Sequence, residues 1–285
     1  MTFFGLSLVL AAALCHAIWN FFIKKINSGP ELIWLFSAFS FLLYFPLALY
    51  VVVDQHADID AIDFSFIIGS SLLHLVYFLL LLRGYRYGDL SLVYPTARAT
   101  GPVLSTLFAV AFLGETPTLQ SAFGTVTIIL GVLCLTGGSR QKARHILNSL
   151  LFGVCAGLLI GSYTAWDAYT VSVLAISPLL LDYATSAGRV FLLAPIAFKR
   201  RSHVVHLWKN YWKEVLIIAL LAPLSYILVL YAMTFTPVIF VAPLREVSVL
   251  LSVLAGSLLL GEGQFRDRFI WGIVILGGIG LLATA

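Results

Sequence analysis

Leu14-Cys15-His16-Ala17-Ile18-Trp19-Asn20 is answered, 147 residues further on, by Gly161-Ser162-Tyr163-Thr164-Ala165-Trp166-Asp167. His16, Trp19 and Asn20 fall on Tyr163, Trp166 and Asp167 without a gap. The same shift carries Arg98 onto Arg245, Gly114-Glu115 onto Gly261-Glu262 and Gly131 onto Gly278. Self-similarity at one fixed offset marks a chain built from two copies of one unit.

The surroundings of these motifs decide what the unit is. Of 285 residues, 61% are hydrophobic and 11% charged, against about 25% charged in an average soluble domain. Hydrocarbon offers the backbone no hydrogen-bond partner, so segments crossing it are helices or closed barrels. The apolar runs are long and continuous and lack the alternation of barrel strands; helices are therefore expected. Allowing about 20 residues per crossing places ten spans near 3–24, 31–53, 65–83, 90–113, 118–137, 149–171, 177–198, 215–233, 236–260 and 268–284. The fold class is thus an all-α integral membrane protein, with one repeat over 1–137, a connecting loop over 138–148 and a second repeat over 149–285. Five helices per repeat is an odd number, which forces the second copy to enter the membrane upside down.

Loop charges agree. Fourteen Lys and Arg, from Lys24 and Lys25 to Arg266 and Arg268, lie in odd-numbered loops, and the even-numbered loops hold none. Those carry Asp54, Asp58, Asp60, Asp63 and Glu115 instead. The positive-inside rule makes the odd loops cytoplasmic and both termini external, as expected in a bacterial inner (plasma) membrane. The acidic stretch from Asp54 to Asp63 corresponds under the shift to the basic loop from Lys199 to Lys213, as opposite-facing copies require.

The net charge of +4 is spread over short loops and forms no basic stripe, which excludes a nucleic-acid partner. Cys15, Cys134 and Cys155 sit in apolar segments and suit neither a disulfide framework nor zinc. The N-terminus, Met1-Thr2-Phe3-Phe4, has no basic region before its apolar run, so the first helix is expected to be retained. No cofactor, metal site or catalytic constellation is expected: nucleophile elbows, His-Glu-x-x-His and phosphate-cradling glycine loops are missing from the sequence. Gly153, Gly157 and Gly161, four residues apart, read as a close helix–helix contact.

Leu14 to Asn20, the run Tyr87-Gly88-Asp89-Leu90-Ser91-Leu92-Val93-Tyr94-Pro95-Thr96-Ala97-Arg98, and Leu113-Gly114-Glu115 before an apolar helix resemble the EamA family of the drug/metabolite transporter superfamily. The resemblance implies ten helices in two inverted repeats, a central cavity lined mainly by helices 1, 3, 4, 6, 8 and 9, and often export of amino acids or other metabolites. In the second half, Val241-Ala242-Pro243-Leu244-Arg245-Glu246 shifts the proline by one and puts a carboxylate where the first half has Ala99.

Six charged residues fall inside spans: Arg98, Asp167, Asp182, Arg189, Arg245 and Glu246. At a helix centre each costs about 2.5–3.5 kcal/mol on insertion scales, so such groups face a cavity or a partner. Tyr94, Arg98 and Ser105 share one stripe. Arg98 and Arg245 occupy equivalent places in the two copies and bracket the expected midplane, about 9 Å apart along the normal by helix rise. Two readings follow. Either guanidinium could hold a carboxylate or phosphonate bidentately, or both could pair with Asp167, Glu246 or helix C-termini and lock the bundle.

His16, Trp19 and Asn20 lie on one face of span 1, and Tyr163, Trp166 and Asp167 on one face of span 6. Both are expected to wall the cavity, extended by His74, Tyr77 and Tyr226. Asp182 and Arg189, seven apart, are expected to meet through neighbours. The expected function is a secondary transporter that carries a small polar metabolite, an amino acid or a related zwitterionic or anionic compound, by alternating access in the lipid bilayer. Import or exchange of a phosphorylated or other organic anion, or an integral-membrane enzyme, are the alternatives. A proton carried by Asp167, Glu246 or a histidine, or facilitated diffusion without one, both fit, as does a monomer or weak homodimer.

Overall fold

The computed structural model describes residues 1–26, 28–54, 60–87, 90–136, 146–259 and 265–285. Among them the chain forms eleven helices and no strand: α1 (Phe3–Ile26), α2 (Pro30–Asp54), α3 (Ala61–Tyr87), α4 (Leu90–Phe112), α5 (Leu119–Thr136), α6 (Ile146–Ser172), α7 (Pro178–Lys199), α8 (Arg201–Met233), α9 (Val238–Leu244), α10 (Val247–Leu259) and α11 (Phe265–Ala283). By length and composition α1, α2, α3, α6, α7 and α8 can each cross a membrane, and α5 and α11 contain shorter apolar stretches. Large apolar side chains such as Phe112, Leu119, Phe191 and Phe198 point outward, whereas Ser37, Ser70, Asp167 and Thr170 are fully buried. That inside-out distribution suits a hydrocarbon surrounding, and the protein is an integral membrane protein.

Two expectations are corrected. The basic stretch before the eighth span, read as a loop, is helical: α8 begins at Arg201 and is interrupted only at Tyr211 (φ −135°, ψ 25°). Its first turns are held by Leu207, buried in a cluster with Ile26, Leu35 and Phe36, and by Trp208, stacked on Phe39 at 4.5 Å. Burial of this apolar stripe stabilises helix where charge alone suggested coil. The ninth expected span is divided, with α9 ending at Leu244 and α10 starting at Val247. Pro243 has no N–H to donate to Ile239, and the following amides of Glu246, Ser248 and Val249 bond three residues back, to Pro243, Arg245 and Glu246. The helix tightens and breaks at Arg245-Glu246.

Proline also organises the contact of α2 with α8. Pro223 leaves the Ala219 carbonyl without its helical donor. Ser40 Oγ donates to it at 2.8 Å, and Tyr44 OH donates to the adjacent Leu220 carbonyl at 2.7 Å. The Gly153, Gly157, Gly161 stripe brings α6 against α4: a Cβ added at each would lie 2.6, 2.5 and 2.7 Å from Thr96, Thr100 and Leu104 atoms. A second close approach joins α5 and α11. Here a Cβ on Gly131 would meet Ile275 Cγ1 at 2.5 Å, and one on Gly278 would meet Ile128 Cγ1 at 2.7 Å. Glu115, after a left-handed turn at Gly114 (φ 68°), accepts bonds from the amides of Val238 and Ile239 at 2.7 and 2.9 Å. It thereby caps the orphan donors that open α9. Its sequence counterpart Glu262 lies outside the described residues.

Candidate functional site

α1, α4, α8 and the α9–α10 break converge on one polar cavity. It is lined by Ala12, Ala13 and His16 from α1, Arg98 from α4, Ser225, Tyr226 and Val229 from α8, with Arg245 and Ser248 at the break. Alanines at 12 and 13 leave room for the guanidiniums. The cavity measures about 20 Å³, room for one or two waters, so a metabolite enters only if the helices part.

The two arginines are not alike. Arg98 Nη1 lies 3.5 Å from Glu246 Oε1, and its Nη2 donates to His16 Nε2 at 3.3 Å. A guanidinium only donates, so His16 presents a lone pair at Nε2 and is neutral, with its proton on Nδ1. Glu246 Oε2 is buried without a hydrogen-bond partner. Arg245, at the break, lies 5.3 Å from the Tyr226 ring centroid as a cation over its face. Its side chain makes no hydrogen bond or ion pair with any described residue. Its donors therefore stand ready for an anion in the cavity.

Behind Tyr226 lies a second polar group. Tyr226 OH donates to Asp167 Oδ2 at 2.5 Å, and His74 Nε2 lies 2.9 Å from the same oxygen. Asp167 is fully buried, and its Oδ1 has no partner. Tyr163 stacks against His74 at 4.1 Å and stands 6.5 Å from Tyr226; Tyr77 lies 5.6 Å from Tyr163. These rings wall the group on the α3 and α6 side.

Thus the structure places His16, Arg98, Tyr226 and Arg245 around one cavity, with Glu246 behind it on Arg98 and Asp167, His74, Tyr163 and Tyr77 in an adjoining layer. Trp166 turns toward α3: its Nε1 donates to the Phe66 carbonyl at 2.9 Å, its ring stacks on Phe66 at 4.5 Å, and it fills the space left by Gly69. Trp19 meets the His16 ring edge-on at 4.7 Å, but otherwise packs on the apolar cluster of Leu32, Leu35 and Ile218. The Asn20 side chain, on the same helix, makes no hydrogen bond with a described residue. The Tyr94 side chain lies outside the described residues. Ser225 and Ser248 escaped the sequence reading, although Ser248 stands three residues after Arg245, a spacing that shares a face; Ser225, next to Tyr226, carried no such signal. Asp182 and Arg189 form no ion pair; Arg189 Nη2 donates instead to Ser186 Oγ at 2.8 Å. A spacing of three outcompetes seven, because the hydroxyl is one turn away.

Residues 3–137 match the model of the EamA-like transporter family. No curated protein matches the chain. A solved structure described only as the crystal structure of a protein is similar over 98% of this chain and 96% of its own, with a TM-score of 0.73 at 14% identity. At that identity the likeness speaks for the fold alone.

Proposed function

We propose that this chain, whose residues 3–137 match the model of the EamA-like transporter family, carries a small metabolite with one acidic group, held by Arg245, by alternating access of two inverted five-helix halves. One observation carries the reading: Arg245 lines the cavity over the Tyr226 ring, and its guanidinium makes no hydrogen bond or ion pair with a described residue. A guanidinium inside the helix bundle without an acceptor is costly, and a carboxylate or similar anion supplies what it lacks. His16, Ser225, Ser248 and Tyr226 then contact the substrate body.

The inverted halves are supported by related contacts. Gly131 on Ile275 and Gly278 on Ile128 are exchanged by the 147-residue shift. Likewise α1 packs on α8 as α6 packs on α3, and α2 on α8 as α7 on α3. In this reading α9 and α10 are one broken span, giving ten spans, both termini outside a bacterial plasma membrane, and a site at the break. Export of an amino acid or related compound is the direction the family resemblance favours.

Counterflow in proteoliposomes tests the site, using a radiolabelled substrate found by thermal-shift screening of amino acids and organic anions. Arg245→Gln is expected to abolish exchange while the protein still folds and elutes as wild type. Exchange at the wild-type rate in that variant refutes the assignment.

A further inference from the structure

The cavity and the layer behind it form one charge system. Arg98 and Arg245 contribute two positive charges, Glu246 and Asp167 two negative ones, and His16 is neutral. The empty site is therefore balanced. An anion on Arg245 would leave one uncompensated negative charge in a dry bundle, which the interior resists.

The means of compensation lies beside it. Tyr226 touches both groups: its ring lies under Arg245 and its hydroxyl bonds Asp167. Asp167 in turn faces His74 at 2.9 Å and keeps one buried oxygen, Oδ1, without a partner. A carboxylate and an imidazole in contact can take up one proton jointly, as imidazolium–carboxylate or imidazole–carboxylic acid. We infer that the His74–Asp167 pair binds one proton together with each monoanion held on Arg245, so that the carrier moves anion and proton as a neutral load.

The proton comes from water on the side from which the anion enters, and leaves with it. The charged or titratable groups around Asp167 are consistent with this count: His74 on α3 and Tyr226 on α8 contact its carboxylate, Tyr163 packs on His74 with Tyr77 beyond it, and Arg245 lies across the Tyr226 ring, with Glu246 next to it in sequence and paired to Arg98. Beyond them Asp182 and Arg189 on α7 offset one another. The pH gradient, and not membrane voltage, then acts on the transport of a monoanion. A zwitterion, already neutral, moves without a proton.

The inference rests on the proposed Arg245 anion site, and the test separates the two. Phenylacetate, phenylalanine and phenethylamine share one ring and carry charges of −1, 0 and +1 near neutral pH. Their binding to the purified full chain is measured by titration calorimetry in buffers of different ionisation enthalpy, which reports protons taken up per ligand. Phenylacetate is expected to bind with uptake of about one proton, its affinity falling about tenfold per pH unit once the free pair has lost its proton. Asp167→Asn should bind it at least as tightly, with no uptake and a flat pH profile. His74→Gln, a second conservative variant, should diminish the uptake. Phenylacetate binding that survives Arg245→Gln unchanged refutes the anion site. Arg245-dependent binding with no proton uptake overturns the coupling and leaves the anion site standing. Uptake kept in Asp167→Asn, or binding of phenylalanine with none of phenylacetate, also overturns it.

Discussion

Replacing Glu246 by Gln tests whether Arg98 locks the bundle. Glu246 is 4% exposed, and its Oε1 is 3.5 Å from Arg98 Nη1. At that distance, with an effective dielectric constant of about 20, the Coulomb attraction is about 5 kcal/mol. Glutamine removes it, while the Arg98 contact with the neutral imidazole of His16 on α1 stays. Removing one partner of a buried pair costs about 3–5 kcal/mol; the contact is long and Glu246 Oε2 is unpartnered, which favours the lower end. For a chain of this size that corresponds to a fall in Tm of roughly 6–10 °C, readable by thermal unfolding of the purified protein in detergent. Removing both charges is far less costly than removing one, because no buried ion is left alone. The double variant Arg98→Met, Glu246→Gln should therefore recover most of the loss. Single variants that unfold within a degree or two of wild type, or a double variant whose loss is the sum of the singles, would refute the reasoning.

Two further outcomes follow from packing and hydrogen bonding. Gly131→Ala sets a Cβ 2.5 Å from Ile275 Cγ1 and should cost about 1–3 kcal/mol. Ile275→Ala should relieve it by removing that atom, whereas Gly278→Ala also meets the Gly124 carbonyl at 2.9 Å and should resist any such rescue in the same melting assay. Ser40→Ala leaves the Ala219 carbonyl that Pro223 frees without its donor and should lower stability by about 1–2 kcal/mol. In a Pro223→Ala background, where the helical N–H returns, that penalty should shrink; an equal penalty in both backgrounds counts against the account.

Much of the helical frame was legible because it depends on short-range properties. A run of about 20 apolar residues is helical in lipid whatever its neighbours, and the helices observed lie on the expected spans within a few residues. The exceptions are instructive. Arg201 to Asn210 is too charged to read as a span, yet its Leu207 and Trp208 supply an apolar stripe that becomes visible only once Ile26, Leu35 and Phe39 are in place. The glycine stripe of α6 was read as a contact surface, and α4 turned out to be what it contacts. The candidate site was legible as a set of residue types at unusual depth, and its internal pairing was not. Helical periodicity places Trp166 and Asp167 near one face of α6, but the rotation of α6 against α3 decides that the indole closes over Gly69 while the carboxylate turns to His74 and Tyr226.

The sequence by itself determined that the chain is helical and membrane-embedded, that its charges inside the spans need partners or a cavity, and that Arg98 and Arg245 stand at the 147-residue offset shared by several other motifs. Composition, run length and a constant offset carry that information locally. Only the tertiary structure decided that these two arginines have different fates. Glu246 has no acidic counterpart in the first half, and the break behind Pro243 brings it across to Arg98, 148 positions earlier in the chain. Charge balance is a property of groups brought together in space, and no spacing along the chain records which of two like charges will be neutralised.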